Sequence, residues 1–255
     1  MSSVRIVGAG RAGGSFAAAL REVGHVVDGP LDRDAPLGAA ASGVELLILA
    51  VPDDEIAHVA AAVDPDEGCV VCHLSGSLGV DVLAPHTRRG SMHPLVPLPN
   101  AEIGRARLRD GVTIAVAGDP LVASVAASLG ARLVEVADGD RARYHAAASI
   151  AANHVVALLG QVERIAARVG LPVEAFLGLT RAAVEDVERL GPRAALTGPA
   201  ARGDWATIAR HLEALDPAER AAYGAGVALA LELSDAQQTV DPAVVTTISA
   251  ADAPK

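Results

Sequence analysis

Hydrophobic positions along this chain follow two regimes, and the change between them divides it. In the first part, short and almost unbroken apolar runs alternate with stretches whose apolar residues recur every three or four positions. Val4 to Val7 is the first such run and ends in Gly8-Ala9-Gly10-Arg11-Ala12-Gly13, after which Ser15 to Val23 has helical spacing and a glycine stop at Gly24. His25 to Asp28 reads as a second strand. Val44 to Val51 is apolar on both faces, as a strand covered by helices on each side must be, and Pro52 ends it. Asp53 to Val63 predicts a helix with an acidic residue near its cap, Gly68 to Leu74 another buried strand, and Gly90 to Met92 and Val112 to Val116 two more. Pro120 to Leu129 then reads as a helix and Arg132 to Val136 as a last strand. Alternation of this kind predicts a doubly wound, mainly parallel sheet.

Past Asp138 the strand signals vanish. Arg141 to Val169 predicts one long helix closed by Gly170 and Pro172, followed by helices over Val173 to Leu190, Trp205 to Leu215 and Ala218 to Asp235. The expected organisation is therefore an α/β domain over residues 1–138 and an all-α domain over 139–255, with Val244 to Ile248 able to add a short packed segment in the tail.

Composition narrows the function classes. Apolar residues make up 51% of the chain but aromatic ones only 2%, so the interior is built from alanine, valine and leucine. With 21 basic against 31 acidic residues, a net charge of -10 and no basic cluster, a nucleic-acid partner is not expected. The longest apolar stretches, Glu45 to Pro52 and Ala146 to Gly160, fall short of the roughly 20 residues a membrane span needs. The first strand begins within a few residues of Met1, which leaves no room for an apolar export signal, so a cytoplasmic protein without a membrane partner is expected. Cys69 and Cys72 form a CxxC, a spacing shared by redox pairs and half metal sites. On a strand, residues three apart point to opposite faces, so two buried apolar thiols and no metal site are expected.

The chemistry is carried first by Gly8, Gly10 and Gly13. A GxGxxG is weak alone, but here it follows a predicted strand and opens a helix, the setting that makes it a Rossmann dinucleotide-binding fingerprint. The first glycine makes the turn, the second lets a pyrophosphate approach the backbone, and the third packs helix on strand; Arg11 and Ala12 complete the cradle of main-chain amides. Asp28, about 20 residues on, can accept ribose hydroxyls and favour NAD, whereas Arg33 of Asp32-Arg33 can pair with a 2'-phosphate and favour NADP or be a solvated loop charge. NADP is the preferred reading. The loops at the carboxyl ends of the strands should edge the ligand: Val51 and Pro52 at the nicotinamide ribose, Ser75 and His93 towards the substrate, His93 being equally able to serve as a structural residue beside Pro94.

A second constellation lies on the long helix. His145, Ser149 and Asn153 fall at i, i+4 and i+8 and form a polar line, with Tyr144 at its start; it suits either a cleft with a polar substrate or a hydrogen-bonded helix interface. Further on, Leu196-Thr-Gly-Pro-Ala-Ala-Arg-Gly-Asp204 turns into a helix capped by Asp204, and Arg202 is free to clamp a carboxylate or phosphate.

Taken together, GAGRAGG at the start, Val51-Pro-Asp-Asp, His73-Leu-Ser-Gly76, Ser91-Met-His-Pro-Leu95, Tyr144-His-Ala-Ala-Ala148 with Asn153, and Leu196-Thr-Gly-Pro with Arg202-Gly-Asp204 resemble a bacterial family in which a Rossmann domain precedes a helical domain of unknown function, domain of unknown function 2520. The resemblance implies a relative of the 6-phosphogluconate dehydrogenase-like superfamily, homodimeric through the helical domain. It further implies an NAD(P)-dependent oxidoreductase acting on a small anionic carbonyl or imine compound, like ketopantoate reductases or pyrroline-5-carboxylate reductases. The superfamily's hydroxyacid dehydrogenases and ketopantoate reductases usually employ a lysine on the long helix, and this chain has no lysine before Lys255. Proton handling is then expected of His145 or His93, with Tyr144 or water as other donors, while Asn153 and Arg202 orient substrate and Tyr144 and Ser149 line it. The alternative from another class is a sensor that binds a nicotinamide dinucleotide without redox chemistry.

Overall fold

The structure is a computed structural model and describes residues 1–32 and 34–234. These residues pack as two compact units, one ending at His154 and the other beginning at Val155. The first is α/β and the second helical. Strands β1 (Ser3–Val7), β2 (Val26–Leu31), β3 (Leu46–Leu49), β4 (Val70–His73), β5 (Arg89–Pro94), β6 (Thr113–Gly118) and β7 (Arg132–Glu135) form one seven-stranded sheet in the order β2-β1-β3-β4-β5-β6-β7. The strands from β1 to β5 run parallel; β6 reverses against β5, and β7 follows β6 in parallel. The sheet is thus mainly parallel and doubly wound, as its apolar runs predict. The connection after β1 turns one way and the connection after β2 crosses back to β3, so the carboxyl ends of β1 and β3 flank a switch point where a ligand crevice opens in such sheets.

Both faces of the sheet are covered. Leu46 and Ile48 face a layer completed by α1 (Arg11–Glu22), α3 (Ala101–Leu108) and α4 (Pro120–Ser128), while Leu47 and Leu49 face α2 (Asp53–Ala61). Cys72 belongs to the first layer and Cys69 to the second, on opposite sides of the sheet, and both are free and buried. Burial pushes the Cys69 thiol up to about 11 and Cys72 higher still, which keeps both protonated near neutrality.

The structure departs from the sequence pattern in three places. β2 does not stop at Asp28 but runs through Gly29 and Pro30 to Leu31, because Gly29 adopts φ +90° and lies so close to Ile6 O that a Cβ would stand 2.7 Å from it. Helix α3 has no clear apolar stripe; it is held by the Asn100 side chain, which accepts from the Ile103 amide, and by Gly104, where a Cβ would overlap the Ser15 hydroxyl of α1. The expected long helix is α5 (Arg141–Ser149), a π turn over Ile150–His154, and α6 (Val155–Ala167).

In the helical unit, α6 is followed by α7 (Glu174–Leu190), the short α8 (Pro192–Ala195) and α9 (Pro199–Arg202), α10 (Trp205–Ala214) and α11 (Pro217–Leu233). Its core joins Ala200, Ile208, Leu212, Val227 and Leu231. Gln161 Nε2 donates to Glu219 O at 3.0 Å and Arg164 pairs with the Glu219 carboxylate at 2.6 Å, tying α6 to α11. Among the described residues, no helix is long and apolar enough to cross a membrane. The tail segment Val244 to Ile248 lies outside the described residues.

Candidate functional site

The glycine turn has the construction its sequence predicts. Gly8 takes φ +106°, and a Cβ there would run into Ala50 O just past β3. At Gly13 a Cβ would overlap Gly8 O, so the helix can lie this close to the turn only without a side chain. Gly10 differs: its Cβ position meets nothing within 4 Å. It is the residue before α1, no side chain caps the helix there, and the first turn holds no acidic residue. Arg11 and Ala12 stand between these glycines at the helix start, Arg11 exposed and Ala12 half-buried. The first amides of a helix have no intrahelical partner and carry partial positive charge, so this open, uncapped terminus fits a diphosphate.

Next to it, Gly8 N donates to Leu31 O at 3.0 Å, which fixes the carboxyl end of β2 beside the turn. Asp28 lies three residues short of that end and accepts from Arg5 Nε at 2.7 Å, an ion pair within the sheet. The residue that follows the strand is instead Asp32, which is exposed; Arg33 lies outside the described residues. Val51, half-buried, packs against Gly8, and exposed Pro52 precedes α2.

A polar cluster occupies the carboxyl ends of β4 and β5. Ser75 Oγ donates to Asp53 Oδ2 at 2.7 Å and accepts from the amides of Ser77 and Leu78, each at 3.2 Å; Ser77 Oγ donates to the same carboxylate oxygen at 2.8 Å. The Ser75 hydroxyl, expected from the sequence to point toward a ligand, is thereby committed to building its loop. His73 accepts from Ser75 N at Nδ1, which leaves Nε2 protonated and facing Gly79 O at 3.3 Å. Burial lowers its pKa to about 4.

His93 stands at the centre of the cluster. Its Nδ1 is 2.8 Å from Tyr144 Oη, and its ring meets those of Tyr144 and His145 edge-on, with centroids 5.6 Å and 5.7 Å away. Burial, with the neighbouring His145 next in importance, pushes His93 down to about 4, and burial raises Tyr144. Gly76 is wedged between the imidazoles: a Cβ there would lie 2.8 Å from both His93 and His145. Four residues predicted for the site, Ser75, His93, Tyr144 and His145, are thus brought together.

Ser149 ends α5, half-buried, and Asn153 is exposed within the π turn; neither side chain bonds another described residue. In a regular α-helix each step of four residues drifts about 40° around the axis. The wider π turn cancels part of that drift and returns Asn153 toward the line of His145. Arg202, exposed, closes α9 in the helical unit, where its charge helps keep the Asp204 carboxyl low, after the hydrogen bonds to Thr207.

Sequence reasoning missed the largest buried polar group. Arg141 is 1% exposed, donating to Asp138 Oδ1 at 2.9 Å and to Ser91 Oγ at 2.5 Å. The one available signal is its position three and four residues before Tyr144 and His145, on the same helical face. Apart from this cluster, a cavity of about 810 Å³ opens among α6, α10 and α11, but its Arg164 and Arg168 are ion-paired with Glu219 and Asp216 and offer an anion little.

Residues 111–229 match the model of a family described as a domain of unknown function, DUF2520, and residues 30–99 match that of a Rossmann-like domain. The two domains occur in the expected order. Among curated proteins, none matches the sequence. Among solved structures, the fold resembles "putative NADP oxidoreductase BF3122" from Bacteroides fragilis (TM-score 0.75, 20% identity, covering 91% of this chain and 98% of that one). It also resembles protein TM1727 from Thermotoga maritima (TM-score 0.67, 23% identity, 92% and 99%). A third is Plasmodium falciparum pyrroline carboxylate reductase with NADP bound (TM-score 0.59, 12% identity, 92% and 98%). At these identities the likeness establishes a shared fold.

Proposed function

We propose that this chain, a Rossmann-like domain followed by a DUF2520 domain, is an NAD(P)-dependent oxidoreductase that prefers NADP and reduces a small anionic carbonyl or imine compound. The observation that carries this reading is the uncapped start of α1 behind Gly8, Gly10 and Gly13, with open space in front of Gly10. The preference for NADP is supported by the neighbours described as NADP oxidoreductase and as NADP-bound, and by Asp28 being paired with Arg5 rather than left to accept ribose hydroxyls. The absence of a lysine on α5 and the pyrroline carboxylate reductase neighbour support an imine over a ketone.

Bound reduced cofactor supplies the hydride, and the chain supplies alignment, exclusion of water and a proton. With His93 unprotonated and the Tyr144 hydroxyl holding its proton at neutral pH, the pair keeps one transferable proton on Tyr144 Oη beside an accepting Nδ1. As the C=N or C=O π bond breaks and its carbon takes the hydride, that proton goes to nitrogen or oxygen, and solvent restores it through the imidazoles of His93 and His145. Val51 and Pro52 would edge the nicotinamide, Ser75 shapes its own loop through Asp53, Ser149 and Asn153 would hydrogen-bond the substrate, and Arg202 of the helical unit is a candidate clamp for an anionic group. The active form is a homodimer through the helical unit, an arrangement supported by α7, which has no buried residue among the described residues.

The test is loss of NADPH absorbance with a panel of cyclic imines and 2-oxoacids. At least one should turn over, and Tyr144→Phe and the double variant His145→Ala with Asn153→Ala should each lower the rate about 100-fold. Turnover that survives both variants overturns the residue roles, and tight NADPH binding with no turnover favours the sensor.

A further inference from the structure

Arg141 is the only buried residue of α5. A guanidinium removed from water costs several kcal/mol unless its hydrogen bonds are complete, yet Nη1 is buried without any partner. Its neighbouring charge, Asp138, sits at a surface three residues earlier, where an exposed arginine would pair with it equally well. Asp138 in turn reaches this position because residue 79 is a glycine, whose Cβ would lie 2.9 Å from the carboxylate. Energetics within the fold do not account for a cation held so deeply.

Geometry does. Ser91 and His93 are two apart on β5 and so point to the same side of the strand. Arg141, Tyr144 and His145 span one turn of α5 and share a face. The bonds Arg141–Ser91 and Tyr144–His93 are therefore successive rungs between one strand and one helix. A single rung leaves the helix free to pivot about it, whereas two fix both its height and its rotation. The tolerance is narrow, because Gly76 leaves no room for even a methyl group between His93 and His145.

We infer that Arg141 is a positioning residue: its bond to Ser91 is the first rung of a ladder that sets where α5 presents Tyr144 and His145 to His93. The inference rests on the reading of His93 and Tyr144 as the proton-handling pair. A fixed cation beside His93 also helps keep that imidazole unprotonated, along with His145 and His73 and against the opposing charge of Asp53.

The experiment compares the full-length protein with Ser91→Ala, which removes the rung and keeps the cation, Arg141→Lys, which keeps the charge and loses the planar fork, and Arg141→Gln. Imidazole resonances of His93 are followed by NMR against pH without cofactor, and NADPH affinity and turnover on the responsive substrate are measured in parallel. In Ser91→Ala and Arg141→Lys the His93 resonances and tautomer balance should change and kcat should fall about 100-fold, with NADPH affinity held within about twofold. In Arg141→Gln the His93 midpoint should also rise from about 4, since a positive neighbour is gone while Asp53, His73, His145 and Tyr144 remain. Should Arg141→Gln not fold, Ser91→Ala and Arg141→Lys decide. Unchanged His93 resonances in both Ser91→Ala and Arg141→Lys overturn the inference. If the wild type reduces nothing, the proposed reaction fails, and the imidazole readout still judges the ladder by itself.

Discussion

Three glycines in one turn do three separable jobs, and substitution by alanine separates them. Gly13 has Gly8 O where its Cβ would go, so Gly13→Ala must push α1 away from the turn and should cost about 2 kcal/mol or more of stability. Gly10 has free space and an ordinary φ of -70°, so Gly10→Ala should change stability by less than about 0.5 kcal/mol. The same methyl group would stand where a pyrophosphate must approach, and NADPH affinity should fall about tenfold or more. Thermal melts with and without NADPH check both halves. A Gly10→Ala variant that binds NADPH as the wild type does would remove the ligand from this turn. Arg141 is the counterexample in legibility: its type says surface, and only the fold brings Ser91 and Asp138 beside it.

Among the elements, those with both sides covered were the readable ones. β3 and β4 are buried along their whole length, so their apolar runs stand out, and the glycine turn has a fixed spacing. Helix α3 escaped because its packing uses the absence of a side chain at Gly104, which leaves no hydrophobic period to read. The π turn escaped for another reason: no residue type marks it, and it changes the geometry of a helix whose sequence reads as regular. Helix α7 shows a pattern that has no covering partner among the described residues. Phe176, Leu179, Val187 and Leu190 recur at helical spacing, yet Leu179 is 72% and Leu190 59% exposed. An apolar stripe of this length is ordinarily covered, and the proposed dimer would cover it. The wild type should therefore scatter light as a dimer, and Leu179→Glu with Val187→Glu should yield a folded monomer. A wild-type monomer at micromolar concentration would contradict this.

At the scale of the molecule, the buried imidazoles make stability depend on pH. His73 titrates at about 4 in the folded state against 6.5 as a free side chain, so between those values the unfolded chain binds a proton that the folded one refuses. Stability should fall as pH drops through that window and level off below it, by roughly 3 kcal/mol for His73 at about 1.4 kcal/mol per unit. His93 acts in the same direction, and the lowered carboxyls of Glu22, Asp119 and Glu219 add to the loss from the acid end of that window downward, as pH falls through their free values of 4.5 and 3.8. Urea midpoints at pH 7, 5.5 and 4.5 check the sign, and a midpoint that is flat or rises toward acid would count against neutral buried histidines. The account as a whole depends on a dinucleotide meeting the start of α1. Calorimetric titration with NADPH, NADP, NADH and NAD tests this directly: it should give one site per chain, filled most tightly by an NADP form. No heat from any of the four would contradict it.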